Sequence, residues 1–251
     1  MVEIFILSLI QGIAEFLPVS SSSHLIIASD NLELEKSLAI DVSLHLGSFI
    51  AVIFYFYKDV INFYKDKILF FKIIISSIPV MLVGLILVET NFIEKIRNIE
   101  TIAWTTLIFG VLLFISDKFK IEKTIEKDFS FKSAIFIGIL QILSLIPGVS
   151  RSGIAITAAR FLGFERVDSA KISFLISIPV LGAVSIFGLN NIIISENQDF
   201  AKLNIFAIIS AFFFSLITIK YFLKYINKFS LNIFVYYRIL LGIILLALTY
   251  L

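Results

Sequence analysis

The chain has 251 residues, no cysteine and a formal net charge of only +2. Hydrophobic residues make up 59% of it and the mean hydropathy is +1.02, which excludes an ordinary soluble domain. The small net charge gives no footing for nucleic-acid binding, and the missing cysteines exclude disulfide and thiolate chemistry.

Residues 1–29 open on an apolar stretch that carries Glu3 where a signal peptide would be basic. The stretch runs into Gln11-Gly-Ile-Ala-Glu15-Phe-Leu-Pro18-Val-Ser20-Ser21-Ser22-Ser23-His24. The segment is too long for one span and is broken near its middle. Each half is about 10–14 residues, too short to cross a hydrocarbon core of roughly 30 Å. It is therefore predicted to be a re-entrant helical hairpin, with its irregular backbone covered by protein or facing an aqueous cavity. Full spans follow at 38–57, 70–89 and 101–116, then a charged linker at 117–131. A second broken segment, 133–163, carries Gln141-Ile-Leu-Ser-Leu-Ile-Pro147-Gly148-Val-Ser150-Arg151-Ser152-Gly153. Three further spans are predicted at 171–194, 203–225 and 232–250.

The two motifs lie at a constant offset of 130 residues, with Gln11 on Gln141, Ser20 on Ser150 and Ser22 on Ser152. Adding that offset to the starts of the first three spans nearly reproduces the starts of the last three. The fold class expected is thus an all-α polytopic membrane protein of two repeats, 1–116 and 132–251, each one re-entrant hairpin plus three spans. An odd number of spans per repeat inverts the second copy, and the hairpin tips can then meet near the midplane. Sixteen of the 21 Lys and Arg residues, Arg238 counted among them, fall on the linker side. Lys36, Lys95, Arg97 and Lys202 fall on the other, and Arg151 sits inside a motif. The positive-inside rule makes the linker side cytoplasmic and puts both termini outside.

Ionisable groups at membrane depth are costly and mark function by default. Ser20–Ser23 and Ser150–Ser152 each precede a new helix, whose N-terminal N–H groups attract anions. Arg151 adds a planar fork suited to phosphate oxygens. Glu15 can hold a divalent cation, with Gln11 on the same helix face, and a hydroxyl can attack phosphorus if a base takes its proton. Ser21 precedes His24 by three residues, which makes Ser21 the first-ranked nucleophile; His24 is its base or protonates the leaving group, and Glu15 binds the metal or relays protons. The blander alternative is that such Ser residues bond backbone or pack closely, and that the two Pro residues only shape the breaks. His45, on the first span, reads as a packing or hydrogen-bonding residue.

At these motifs the chain resembles the bacterial undecaprenyl-diphosphate phosphatase family, the bacitracin-resistance type. The resemblance rests on Gln11 to Glu15, on Phe16-Leu17-Pro18-Val19-Ser20-Ser21 with His24, and on Pro147 to Gly153. Asp41-Val-Ser-Leu-His45-Leu-Gly47 adds a third stretch, and the likeness covers nearly the whole chain. One departure is Ala155 where the family has Thr, with Thr157 two residues on.

The resemblance implies an integral enzyme of the bacterial cytoplasmic (inner) membrane that releases phosphate from undecaprenyl diphosphate. That reaction recycles the lipid carrier of peptidoglycan synthesis, and abundant enzyme confers bacitracin resistance. It implies a divalent cation, Mg²⁺ or Ca²⁺, and catalytic roles for Glu15, Ser21, His24 and Arg151. Ser20, Ser150, Arg151 and Ser152 would bind phosphate, with Gln11, Glu15 and Thr157 as metal or supporting residues. The partners expected are the lipid substrate and the bilayer, no nucleic acid, and a homodimer as a compatible assembly. Two alternatives come from other classes: a polyprenyl-phosphate transporter or flippase, since inverted repeats with broken helices also build carriers, and a non-catalytic membrane scaffold.

Overall fold

In a computed structural model, residues 1–31, 37–90, 95–119, 122–193 and 198–250 are described. Lys36, Lys120 and the end of the predicted span 171–194 lie outside them. The helices are α1 (Val2–Ala14), α2 (Ser21–Asn31), α3 (Leu38–Tyr55), α4 (Tyr57–Asn62), α5 (Lys67–Glu89) and α6 (Ile99–Asp117). After them come α7 (Ile125–Asp128), α8 (Phe131–Gln141), α9 (Arg151–Phe161), α10 (Arg166–Ile193), α11 (Gln198–Ile226) and α12 (Asn232–Tyr250).

Six of these helices, α3, α5, α6, α10, α11 and α12, are long and apolar enough to cross a bilayer. They match the six predicted spans, and the chain is a multi-pass all-α membrane protein. The helix starts are written in the sequence. Ser37, Asp66, Asn98 and Ser130 each accept a hydrogen bond from the backbone N–H three residues on, capping α3, α5, α6 and α8.

Both broken segments fold as helical hairpins. In the first, α1 and α2 flank the break at Glu15–Ser20. In the second, α8 continues into a 3₁₀ turn, Ile142–Leu145, before the break and α9. The hairpins pack crosswise, α1 against α11 of the other half and α8 against α5. Small residues allow the close approach. A Cβ on Gly12 would lie 2.4 Å from Phe214 Cβ, and one on Gly138 would lie 2.6 Å from the Ser76 carbonyl oxygen. The largest of three apolar clusters among the described residues joins both halves, with Phe16 from the first break edge-on to Phe174 of α10 at 5.3 Å between centroids.

The linker end is tied down by Asp117 at the end of α6. Its carboxylate accepts from Arg166 Nε at 2.7 Å and Nη2 at 3.1 Å, and from the Leu231 N–H at 3.0 Å. One side chain thus joins the ends of α6, α10 and α12. The linker itself is not wholly solvated. Lys123 N–H donates to Gly163 O at 2.9 Å, and Lys123 O accepts from Glu165 N–H at 3.0 Å.

A candidate site where the hairpin tips meet

Ser20 and Ser150, paired by the 130-residue offset, are the non-glycine residues of positive φ among those described, at 76° and 73°. L-residues avoid this region, at a cost of about 1–3 kcal/mol each, and such strain concentrates at functional sites. Here it turns the chain sharply from each break into the N-terminus of α2 or α9. Ser150 Oγ then caps α9 by accepting from Gly153 N–H at 3.0 Å. Gly148, with φ +93°, completes the second tip, and a Cβ there would sit 1.9 Å from Thr105 Oγ1.

The tips touch. Glu15 Oε1, from the first, accepts from Arg151 Nη2, from the second, at 2.9 Å. Ser152 Oγ donates to Leu17 O at 2.7 Å. Glu15 Oε2 accepts from Ser21 Oγ at 2.6 Å and from Gln11 Nε2 at 3.0 Å, and His45 Nε2 lies 4.0 Å away. Ser20 Oγ lies 3.0 Å from Ser23 Oγ and 3.3 Å from Ser22 Oγ. Glu15, Ser20, Ser150 and Ser152 are buried and Arg151 is nearly so. Among the described residues, two groups here have no protein partner: Arg151 Nη1, a donor, and Gln11 Oε1, an acceptor. A buried polar atom left unpaired costs about 1–3 kcal/mol, so each marks a place for a ligand or water.

The structure corrects three expectations from the sequence. Ser21 does not pair with His24, because its hydroxyl is held by Glu15. His24 bonds the Ser20 carbonyl through Nδ1 at 2.6 Å and the Tyr237 hydroxyl through Nε2 at 2.5 Å. A carbonyl only accepts, so Nδ1 carries a proton there. Thr157 is buried on α9 but is not brought to the tips. It lies six residues past Arg151, roughly 9 Å along the axis at 1.5 Å per residue. Ala155 is packed into the apolar core.

The third correction concerns Arg238, which the charge tally put at the cytoplasmic face. It is 1% exposed, inside α12. Its guanidinium donates to Pro18 O and Val149 O at 3.1 Å, Gly148 O at 2.8 Å and Thr106 O at 3.2 Å. One cation therefore satisfies the backbone ends of both broken hairpins. Thr105, also missed, donates to Pro147 O at 2.6 Å. The sequence signal for Arg238 was present, an Arg seven positions into a 19-residue apolar helix.

A cavity of about 330 Å³, lined by Ser22, Asp41, His45 and Arg97, opens beside this cluster. A larger one, about 850 Å³, lies at the other end of the molecule around Asp117, Arg160 and Arg166. It takes no residue from the tips, whereas the smaller cavity takes Ser22.

Together these features define a polytopic membrane protein whose internal polar site is shared by two broken-helix hairpins. A family profile described as bacitracin resistance protein BacA matches residues 4–244, and the chain belongs to that family. It is similar to a protein named undecaprenyl-diphosphatase in Pelagibacter ubique, 49% identical, covering 99% of this chain and 98% of that one. Proteins of the same name in Jannaschia sp. and Saccharophagus degradans are 38% and 40% identical. They cover 98% and 97% of this chain and 98% and 96% of their own lengths.

Replacing Arg238 by Met should strand several buried carbonyls and destabilise the protein by about 3 kcal/mol or more. Thermal unfolding of the detergent-purified variant should show a markedly lower midpoint. A wild-type midpoint would mean that the guanidinium is not what joins the tips.

Proposed function

We propose that the protein is an undecaprenyl-diphosphatase, hydrolysing undecaprenyl diphosphate to undecaprenyl phosphate and phosphate in the bacterial inner membrane. The observation that carries this reading is Arg151, whose Nη2 is fixed by Glu15 while Nη1 is buried and unpaired. Half of its fork is thus locked and half is offered to an anion. The N-terminus of α2 and the Ser20, Ser22 and Ser23 hydroxyls supply further donors. A terminal phosphate held there would face Ser21.

In this mechanism Ser21 Oγ attacks the terminal phosphorus and its proton passes to Glu15 Oε2, 2.6 Å away. The new O–P bond forms as the bridging P–O bond breaks, and undecaprenyl phosphate leaves. Water then attacks the phosphoserine phosphorus and the bond to Ser21 Oγ breaks; Glu15 hands its proton back to Ser21, and phosphate leaves with the water's oxygen and protons. Arg151 offsets the negative charge that builds on the phosphoryl oxygens. His24, held by the Ser20 carbonyl and the Tyr237 hydroxyl, keeps the first tip in place.

A divalent cation, Mg²⁺ or Ca²⁺, fits these residues as a partial ligand set. Gln11 Oε1 is an orphaned hard oxygen beside the Glu15 carboxylate. Among the described residues no three His, Asp or Glu side chains form a metal cluster. The ion's other ligands would come from diphosphate oxygens and water, and it would neutralise charge on the diphosphate.

The crosswise packing of α1 on α11 and of α8 on α5 supports two inverted repeats meeting at this site. The lysine-rich linker side supports a cytoplasmic linker with both termini outside. The lipid-transporter reading is not favoured. A carrier needs no hydroxyl held on a carboxylate beside an anion site, and the relatives bear the name of a hydrolase.

Purified protein should release phosphate from undecaprenyl diphosphate, and chelator should abolish the release reversibly. A folded, cation-replete preparation that releases none would refute the hydrolase. The Ser21–Glu15 contact yields a second expectation. Ser21→Ala and Glu15→Gln should each cut turnover severely, and the double variant should be little worse, because groups acting as a unit are non-additive. Losses that multiply would assign the two residues to separate tasks.

A further inference from the structure

The site needs an approach for an amphiphile, and the end of the molecule away from the linker has two adjoining cavities. The first, about 330 Å³, reaches the tips through Ser22 and His45. The second, about 610 Å³, runs between α2, α6 and α12, with Ile27, Ile99, Leu245 and Leu248 in its wall. The two share Ile26 and Arg97. The first is the more polar of the two, with Ser22, Ser29, Asp41, His45 and Arg97 in its wall, and leads to phosphate donors. Its neighbour is mostly apolar and continues the greasy junction of Ile26, Ile102, Ala103 and Leu245.

Arg97 stands at the boundary. It is exposed just before α6, and no hydrogen bond or ion pair engages it among the described residues. Among the described residues, the two carboxylates of these cavity walls have other interactions. Glu100 accepts from the Tyr250 hydroxyl, and Asp41 has an interaction of its own. A cation with no partner among the described residues, between a mixed and a mostly apolar cavity, matches a molecule with an anionic head and a hydrocarbon tail. The tail cavity falls within the range of roughly 300–1,000 Å³ typical of small-molecule sites. It would hold the isoprene units next to the head, and the rest of a long chain would remain in the bilayer.

We propose that Arg97 captures the diphosphate of the lipid substrate at the outer mouth, and that the α2–α6–α12 groove takes the first isoprene units. This rests on the diphosphatase reading above. Arg97 acts before chemistry, so it governs substrate capture and leaves the reacting atoms untouched.

The test is steady-state phosphate release from C55 and C15 polyprenyl diphosphates, at low and high salt. Arg97→Glu should raise KM about tenfold for both at low salt with kcat unchanged, and the difference should shrink as salt rises, as for a rim charge. Ile99→Trp and Leu248→Trp, at exposed groove positions, should raise KM for both substrates through the units nearest the head, again with kcat unchanged. A diazirine on the first isoprene unit of the C15 substrate should cross-link to the groove in wild type and less in the Trp variants. Wild-type turnover with KM unaltered in all three variants, or cross-links only elsewhere, would overturn the subsite. Absence of wild-type turnover would instead sink the diphosphatase reading.

Discussion

A charge buried at membrane depth must find its partner inside the protein, and here that constraint joins the two halves. Glu15 and Arg151 are 136 residues apart in sequence, yet they form a 2.9 Å ion pair. Neither can be left alone in an apolar medium. The pair holds only if the two broken hairpins enter the bundle and meet tip to tip. The crossed packing of α1 on α11 and α8 on α5 follows from that requirement, as do the glycines that permit it.

Breaking a helix inside a membrane exposes carbonyls and N–H groups that nothing in lipid can satisfy. The protein deals with the two kinds differently. The carbonyls of Pro18, Gly148 and Val149 are taken by Arg238, and that of Pro147 by Thr105. The N–H ends of α2 and α9 are turned inward by Ser20 and Ser150, whose positive φ is the cost of the turn. One side of the break is thereby neutralised by protein. The other keeps a surplus of donors, which favours an anion.

Much of this was legible in the sequence. The six spans, both hairpins and the Glu15–Arg151 neighbourhood followed from hydropathy, segment length and polar residues where apolar ones belong. What escaped were contacts between distant elements. Arg238 sits six residues after the start of α12, close enough to the linker end to count as a face residue. Only the packed fold shows its carbonyl partners. The Ser21–His24 pairing failed for a local reason. Helical side chains lean towards the N-terminus, so Ser21, first in α2, reaches back to Glu15 across the break. His24 reaches back in the same way to the Ser20 carbonyl.

The central claim is that Arg151 serves two masters at once, the Glu15 carboxylate through Nη2 and a phosphate through Nη1. Lysine keeps the charge but not the planar fork. Turnover of undecaprenyl diphosphate by Arg151→Lys, in protein verified as folded by its melting temperature, therefore tests the claim most directly. The account predicts a fall in kcat of about 100-fold or more, as for other lost transition-state donors. Retention of most of the wild-type rate would contradict it, leaving Arg151 as a counter-ion for Glu15 and nothing more.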